Sequence, residues 1–208
     1  MPVKSTNITR EHSHVHLRDR WARHGHRGGV LWFTGLPKSG KSMLAFRLEK
    51  ILFDECYQVC AFQSQNFRRG ISSDLEFGRE DRREHIRRVG EVAAFLTRRG
   101  VIAVTSFISP FALDRANARA AVGEGFHEIF LDPGLAVCEE RDRDGIYARA
   151  RAGEISEFTG VSDTYEAPEM PELRIDTGVL TVAESLDLLS EYAVQAFRLP
   201  NTSIAEEA

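Results

Sequence analysis

Val30-Leu31-Trp32-Phe33-Thr34-Gly35-Leu36-Pro37-Lys38-Ser39-Gly40-Lys41-Ser42 is the stretch on which the fold turns. Its first five residues are a short apolar run, which reads as a buried strand. The next eight fit the pattern Gly, four residues, Gly, Lys, Ser of a phosphate-binding loop. The glycines let the backbone curl so that successive N–H groups face phosphate oxygens. A following helix adds the partial positive charge of its N-terminus. Lys41 is positioned to neutralise the β and γ oxygens of ATP, and Ser42 to place its hydroxyl on Mg²⁺. Gly35, Leu36, Pro37, Lys38, Ser39, Gly40, Lys41 and Ser42 are therefore the candidate ATP-binding residues, with ATP and Mg²⁺ as the implied cofactors.

Outward from this loop the pattern alternates. Leu44, Ala45, Leu48, Ile51 and Leu52 recur at helical spacing within residues 41–53. Residues 57–62 read as a second strand and 79–99 as a long amphipathic helix, with Ile86, Val89, Val92, Ala93 and Leu96 on one stripe. A strand over 101–107, a helix over 112–122, a strand over 126–131 and a short helix over 135–141 follow. Residues 143–171 look irregular, and a fifth strand (173–176) precedes a closing helix (182–197). Strands alternating with helices imply an α/β fold, a three-layer sandwich with a parallel sheet of about five strands and helices on both faces. The expected organisation is a polar N-terminal arm (1–24), one domain (25–200) with a lid near 143–171, and a tail (201–208).

The chain has 208 residues and a net charge of −4, which argues against a general nucleic-acid binder. That sum conceals two unlike parts. Residues 1–153 carry 25 Lys plus Arg against 19 Asp plus Glu, and residues 154–208 carry 2 against 12. Of the 27 cations 23 are Arg, the residue suited to forked recognition of phosphate and carboxylate, although base composition of a genome also inflates Arg. No apolar run is long enough for a membrane span, and no secretory signal is evident near the start. Cys56, Cys60 and Cys138 form neither a metal pattern nor an even disulfide framework, so a reducing cytoplasm is the expected home. His12, His14 and His16 alternate as on one face of a strand, which makes a metal site conceivable; the competing reading is a solvated arm.

Several long stretches resemble the adenylylsulfate (APS) kinases, P-loop enzymes that phosphorylate the 3′-hydroxyl of APS to give PAPS. The likeness runs from Gly25 to Tyr192. It is dense in GHRGGVLWFTGL (25–36), DRREHIRRVGEVA (81–93), TSFISPF (105–111), ARAGEISEFTG (150–160) and YEAPEMPEL (165–173). The resemblance implies that Arg68 and Arg82 hold the phosphosulfate of APS, that Phe77 stacks on its adenine, and that Asn66 and Ile108 line the same side. On its apolar character alone, Phe77 reads as core. Arg141 and the 143–160 stretch match the part that closes over ATP. Ser109 matches a serine assigned as a phosphoenzyme intermediate; as a residue it reads equally as a wall or strand-end serine, since direct transfer needs no covalent step. The family also implies a homodimer and association with ATP sulfurylase.

One motif departs. Where the family carries Asp-Gly-Asp-Asn, this chain has Gln63-Ser64-Gln65-Asn66. The resemblance gives those aspartates two tasks: orienting Mg²⁺ through its waters, and accepting the proton of the attacking hydroxyl. An uncharged amide suits neither. Glu76 stands where the family has Gly and His85 where it has Asn, and either is a candidate replacement base. Asp144 and Ala148 stand where lysines are common. Three readings follow: an APS kinase, a kinase for another nucleotide-like or anionic acceptor, and a regulatory homologue that binds nucleotide without turnover.

Overall fold

A computed structural model describes residues 13–199. The elements in chain order are α1 (Leu17–His24), β1 (Gly29–Thr34), α2 (Lys41–Asp54), β2 (Val59–Gln63), α3 (Ser64–Arg68), α4 (Arg79–Thr97) and β3 (Ile102–Ser106). They continue with α5 (Ala112–Val122), β4 (Phe126–Leu131), α6 (Leu135–Glu140), α7 (Ile146–Arg151), β5 (Leu173–Ile175) and α8 (Val182–Phe197). All five strands are parallel, in the order β2-β3-β1-β4-β5.

The continuous apolar run of β1 follows from its central place. Leu31 and Phe33 pack with Leu44, Leu48 and Leu52 of α2 and with Leu189, Ala193 and Phe197 of α8. Val30 and Trp32, one residue out of phase, pack on the other face with Ile86, Val89 and Ala93 of α4 and Ala118 of α5. Side chains alternate across a strand, so a strand covered on both faces must be apolar at every position. Each large side chain buried here contributes about 1.5–3 kcal/mol. Close packing also limits the strand's first residue: a β-carbon on Gly29 would stand 2.2 Å from a ring carbon of Phe197.

Three helices depart from the sequence expectation. α1 lies within the stretch read as a bare arm; it buries no residue, which is why no apolar stripe announced it. Its C-terminus is closed by Gly25 at φ 77°, whose N–H donates to the Trp21 carbonyl, and Arg27 lies over the Trp21 ring at 5.3 Å. α3 and α7, five and six residues long, are too short to show a period. His16 precedes α1, its N–H donating to the Asp19 carboxylate at 2.9 Å. His12 and the proposed tail lie outside the described residues. Among the described residues no group of three or more His, Cys, Asp or Glu is placed to hold a metal. No helix among them is long and apolar enough to cross a membrane.

His26 secures the amino edge of the sheet. Its ring is buried; Nε2 accepts from the Gln58 N–H at 2.9 Å and Nδ1 meets the Arg27 carbonyl at 2.9 Å. Both bonds together require the neutral ring, with its hydrogen on Nδ1. Burial holds the pKa of His26 and His127 below the ordinary 6.5, and burial with the Arg68 and Arg88 charges pushes His85 down to about 4. The unfolded chain therefore takes up protons first as pH falls, so stability is full above 6.5 and is lost between there and 4. Urea unfolding is expected to show a loss of about 2 kcal/mol between pH 7.5 and pH 5. His26→Gln, which cannot titrate, should flatten part of that dependence.

Candidate active site

Parallel strands deliver their loops to one edge, and the site lies at the carboxyl ends of β1, β2 and β3. The loop after β1 turns at Gly35, with φ 147°. A β-carbon there would stand 2.5 Å from the carbonyl oxygen of Leu131 on β4, so only glycine lets the loop lie this close to the sheet. Gly40, at φ 96°, opens α2. The Lys41 ammonium curls over the loop and donates to the carbonyls of Gly35 (2.9 Å) and Leu36 (2.6 Å) and to the Ser39 hydroxyl (3.1 Å). Burial depresses its pKa to about 7. An anion seated in the loop would restore the full charge.

Ser42 donates to the side-chain carbonyl of Gln63 at 3.1 Å and shares a hydrogen bond with Ser106 at 2.9 Å. β2 and β3 pair Gln63 with Ser106, so the sheet register itself gathers three neutral oxygens beside the loop. Gln65 and Asn66 are exposed on α3 and outside the wall of the adjoining cavity.

Two cavities flank the loop. One, of about 320 Å³, is lined by Lys38, Gly40, Arg141, Thr177 and Thr181 among others. Arg141 is fixed there by the Thr177 carbonyl (2.5 Å) and hydroxyl (3.2 Å), and the Thr177 hydroxyl donates to the Ser39 carbonyl at 3.0 Å. Its size and place suit a nucleotide base. The other cavity, of about 420 Å³, brings together Arg68, Phe77, Arg82, Ile108 and Ser109, with Pro37 joining it to the loop. Phe77 is 74% exposed at this cavity, which removes its reading as core. Arg68 lies over its ring at 4.3 Å and donates to the Leu75 and Glu76 carbonyls at 3.2 and 2.7 Å. Its Nε is buried without a partner.

The 143–171 stretch walls the Phe77 cavity with Ile146 and residues 155–159 and reaches the phosphate loop beside it. Tyr147 of α7 donates to the Pro37 carbonyl at 2.9 Å, and Lys38 pairs with Asp144 at 2.5 Å and Asp142 at 3.7 Å. Arg82 is taken up by Asp163 (2.6 Å), the Glu157 carbonyl (3.1 Å) and the Thr159 hydroxyl (3.3 Å). In this closed arrangement Lys38 and Arg82, expected to face anionic ligands, both meet carboxylates of the closing segment.

Ser109 is 1% exposed and sits at φ 42°, a left-handed conformation unusual for serine. Its hydroxyl accepts from the Trp32 indole at 3.1 Å and donates to Thr34 at 3.1 Å, while Thr34 in turn meets Tyr165 at 2.9 Å. Arg115, paired with Glu128 at 2.6 Å, donates to the Ser109 carbonyl at 2.8 Å. The hydroxyl is thus committed to a buried network. Thr34, Arg115, Tyr147 and Tyr165 were not singled out by the sequence; only Arg115, a cation on the inner face of a helix, left a signal.

The family model described as adenylylsulphate kinase matches residues 27–176. The chain belongs to the adenylylsulfate kinase family, a family of ATP-dependent kinases. It is 45% identical over 192 residues to an adenylyl-sulfate kinase of Clostridium acetobutylicum, covering 92% of this chain and 96% of the relative. Another, from Citrobacter koseri, is 47% identical over 185 residues, covering 86% of this chain and 92% of the relative. Among solved structures, the APS kinase CysC of Mycobacterium tuberculosis in complex with AMPPNP and APS is 38% identical, with a TM-score of 0.76. That match covers 80% of this chain and 98% of the other.

Two outcomes follow from these kinase-site contacts. Ser109→Ala strands the buried Trp32 donor and should cost about 1–3 kcal/mol in thermal unfolding. Its phosphoryl transfer should stay within about tenfold, and no label from [γ-³²P]ATP should remain on the unaltered chain. Lys41→Met should lower turnover about 10³-fold. It should not lower the melting temperature of the ligand-free chain at pH 7, because burial already disfavours the charged lysine.

Proposed function

We propose that this chain transfers the γ-phosphoryl group of ATP to the 3′-hydroxyl of adenylylsulfate, giving PAPS and ADP. The carrying observation is the cavity that joins the phosphate loop through Pro37 and presents Arg68 and an exposed Phe77. A nucleotide acceptor needs a π-face and an anion site, and these two side chains offer both. Its partner cavity by Arg141 takes the base of ATP, while Gly35–Ser42 and Lys41 take the phosphates. Ile108 lines the acceptor side, Arg82 exchanges Asp163 for the acceptor's anionic group as the acceptor binds, and closure of residues 143–171 excludes water.

The oxygens of Ser42, Gln63 and Ser106 fit a Mg²⁺ that arrives on the triphosphate, because Mg²⁺ keeps waters and needs few protein ligands. When bound, the ion neutralises charge developing on the β and γ oxygens. Ser42 would hold it directly and Gln63 through water. Free cysteines at 56, 60 and 138 agree with a reducing cytoplasm. A homodimer, and association with ATP sulfurylase, remain part of this proposal through the family. A second reading, a different anionic acceptor, is favoured by one observation: an acceptor already ionised needs no carboxylate at positions 63 and 65. Intact Lys41 and Ser42 speak for turnover over a purely regulatory role.

Incubation with ATP, Mg²⁺ and APS, following ADP and PAPS, tests the proposal; folded, ATP-binding protein that yields no PAPS overturns it. Gln63→Asp adds a carboxylate beside Ser42 and should lower the half-saturating Mg²⁺ concentration about tenfold.

A further inference from the structure

The departures from the family motif at residues 64 and 85 fall on the two members of one hydrogen bond. Ser64 Oγ and His85 Nε2 are 3.0 Å apart. Both residues line the acceptor cavity. His85 is 3% exposed, its ring tilted against Phe107 at 5.4 Å between centroids, and its Nδ1 is buried without a partner. A structural histidine normally uses both nitrogens, as His26 does in this same chain. His85 uses one, and that one points through Ser64 toward the cavity.

We propose that Ser64 and His85 form a relay that accepts the proton of the attacking hydroxyl, the task for which this site has no aspartate. Ser64 touches the acceptor and is the catalytic residue; His85 acts through it and is the positioning residue. The inference rests on the kinase reading above. In the step, the acceptor oxygen forms a bond to the γ phosphorus while the bond from that phosphorus to the β–γ bridging oxygen breaks, and ADP departs. The hydroxyl proton passes to Ser64 Oγ, and the serine's own proton passes to His85 Nε2, which later yields it to water. This uses the tautomer with its hydrogen on Nδ1, so that the Ser64 lone pairs face the cavity.

Alternatives in the cavity are fewer than the sequence suggested. Glu76 does not line it. The carboxylate that does, Glu157, lies 3.6 Å from Arg82 in an ion pair. Burial, with the charges of Arg68 from α3 and Arg88 from its own helix, holds the His85 pKa down to about 4, so the ring is neutral near pH 7 and able to accept a proton. A loose phosphoryl transition state asks little of its base, so a weak one suffices.

Ser64→Gly and His85→Asn, the family residues, provide the test, with ATP binding and thermal unfolding as checks on folding. Each should lower kcat about 100-fold with the KM for APS nearly unchanged. The double variant should be no worse than either single one, as expected for one unit. Adding Gln63→Asp with Gln65→Asp should recover the loss, which a merely structural defect would not allow. Ser64→Ala guards against backbone effects of glycine. PAPS formation that survives Ser64→Gly and Ser64→Ala, or a loss produced instead by Glu157→Gln, overturns the relay alone. Absence of PAPS from the unaltered chain overturns the substrate reading and the relay with it.

Discussion

A β-carbon at residue 35 would meet the Leu131 carbonyl oxygen at 2.5 Å, and the active site is arranged around that approach. Because the loop lies directly on the end of β4, the Lys41 ammonium can reach back to the Gly35 and Leu36 carbonyls, and Ser42 is carried to the ends of β2 and β3. Those strand ends are fixed by the sheet register, and the register by two apolar faces that cannot slip without exposing Trp32 or Phe33. Hydrophobic burial thus sets the position of polar atoms that take no part in it.

Charge follows a second logic. The basic first part and the acidic last part of the chain neutralise each other inside the molecule. Arg82 meets Asp163 and Glu157, and Arg119 meets Glu172 at 2.6 Å. These pairs tie α4 to the segment beside the Phe77 cavity and α5 to the start of β5. Exposed pairs of this kind are worth little individually. Arg82–Asp163, half-buried and short, is a better latch, and under the proposed function an anionic acceptor would compete for the same guanidinium. The arginine excess thus serves internal pairing, and under the proposed function Arg82 would exchange that pairing for an anionic acceptor.

What could be read in the sequence was what a period or a spacing records. The alternation of strands and long helices and the loop at 35–42 are of this kind; Arg68, Arg141 and Ile108 entered only through the family resemblance. α1, α3 and α7 carry no apolar stripe, because they are short or lie on the surface. Phe77 reads as core by its chemistry, and only the fold shows its ring left outside. The Ser109 network joins residues 32, 34, 109 and 165, distances along the chain that no local pattern spans. Position 85 was visible as a substitution, yet its partner at 64 emerges only when the fold brings α4 beside the start of α3.

That pairing bears on how a kinase site tolerates the loss of its carboxylates. Two aspartates beside bound triphosphate bring negative charges close to a group that is already anionic, and the metal is what makes their presence bearable. Neutral oxygens at Ser42, Gln63 and Ser106 add no such repulsion, and under the proposed function they would hold Mg²⁺ more loosely. A neutral relay has the converse property: it takes up positive charge as the proton moves, next to phosphoryl oxygens where positive charge is stabilised. The cost is the desolvation that depresses His85, and the arginines at 68 and 88 add to it. Bound anions offset both effects, so the base is strongest only when substrates fill the site.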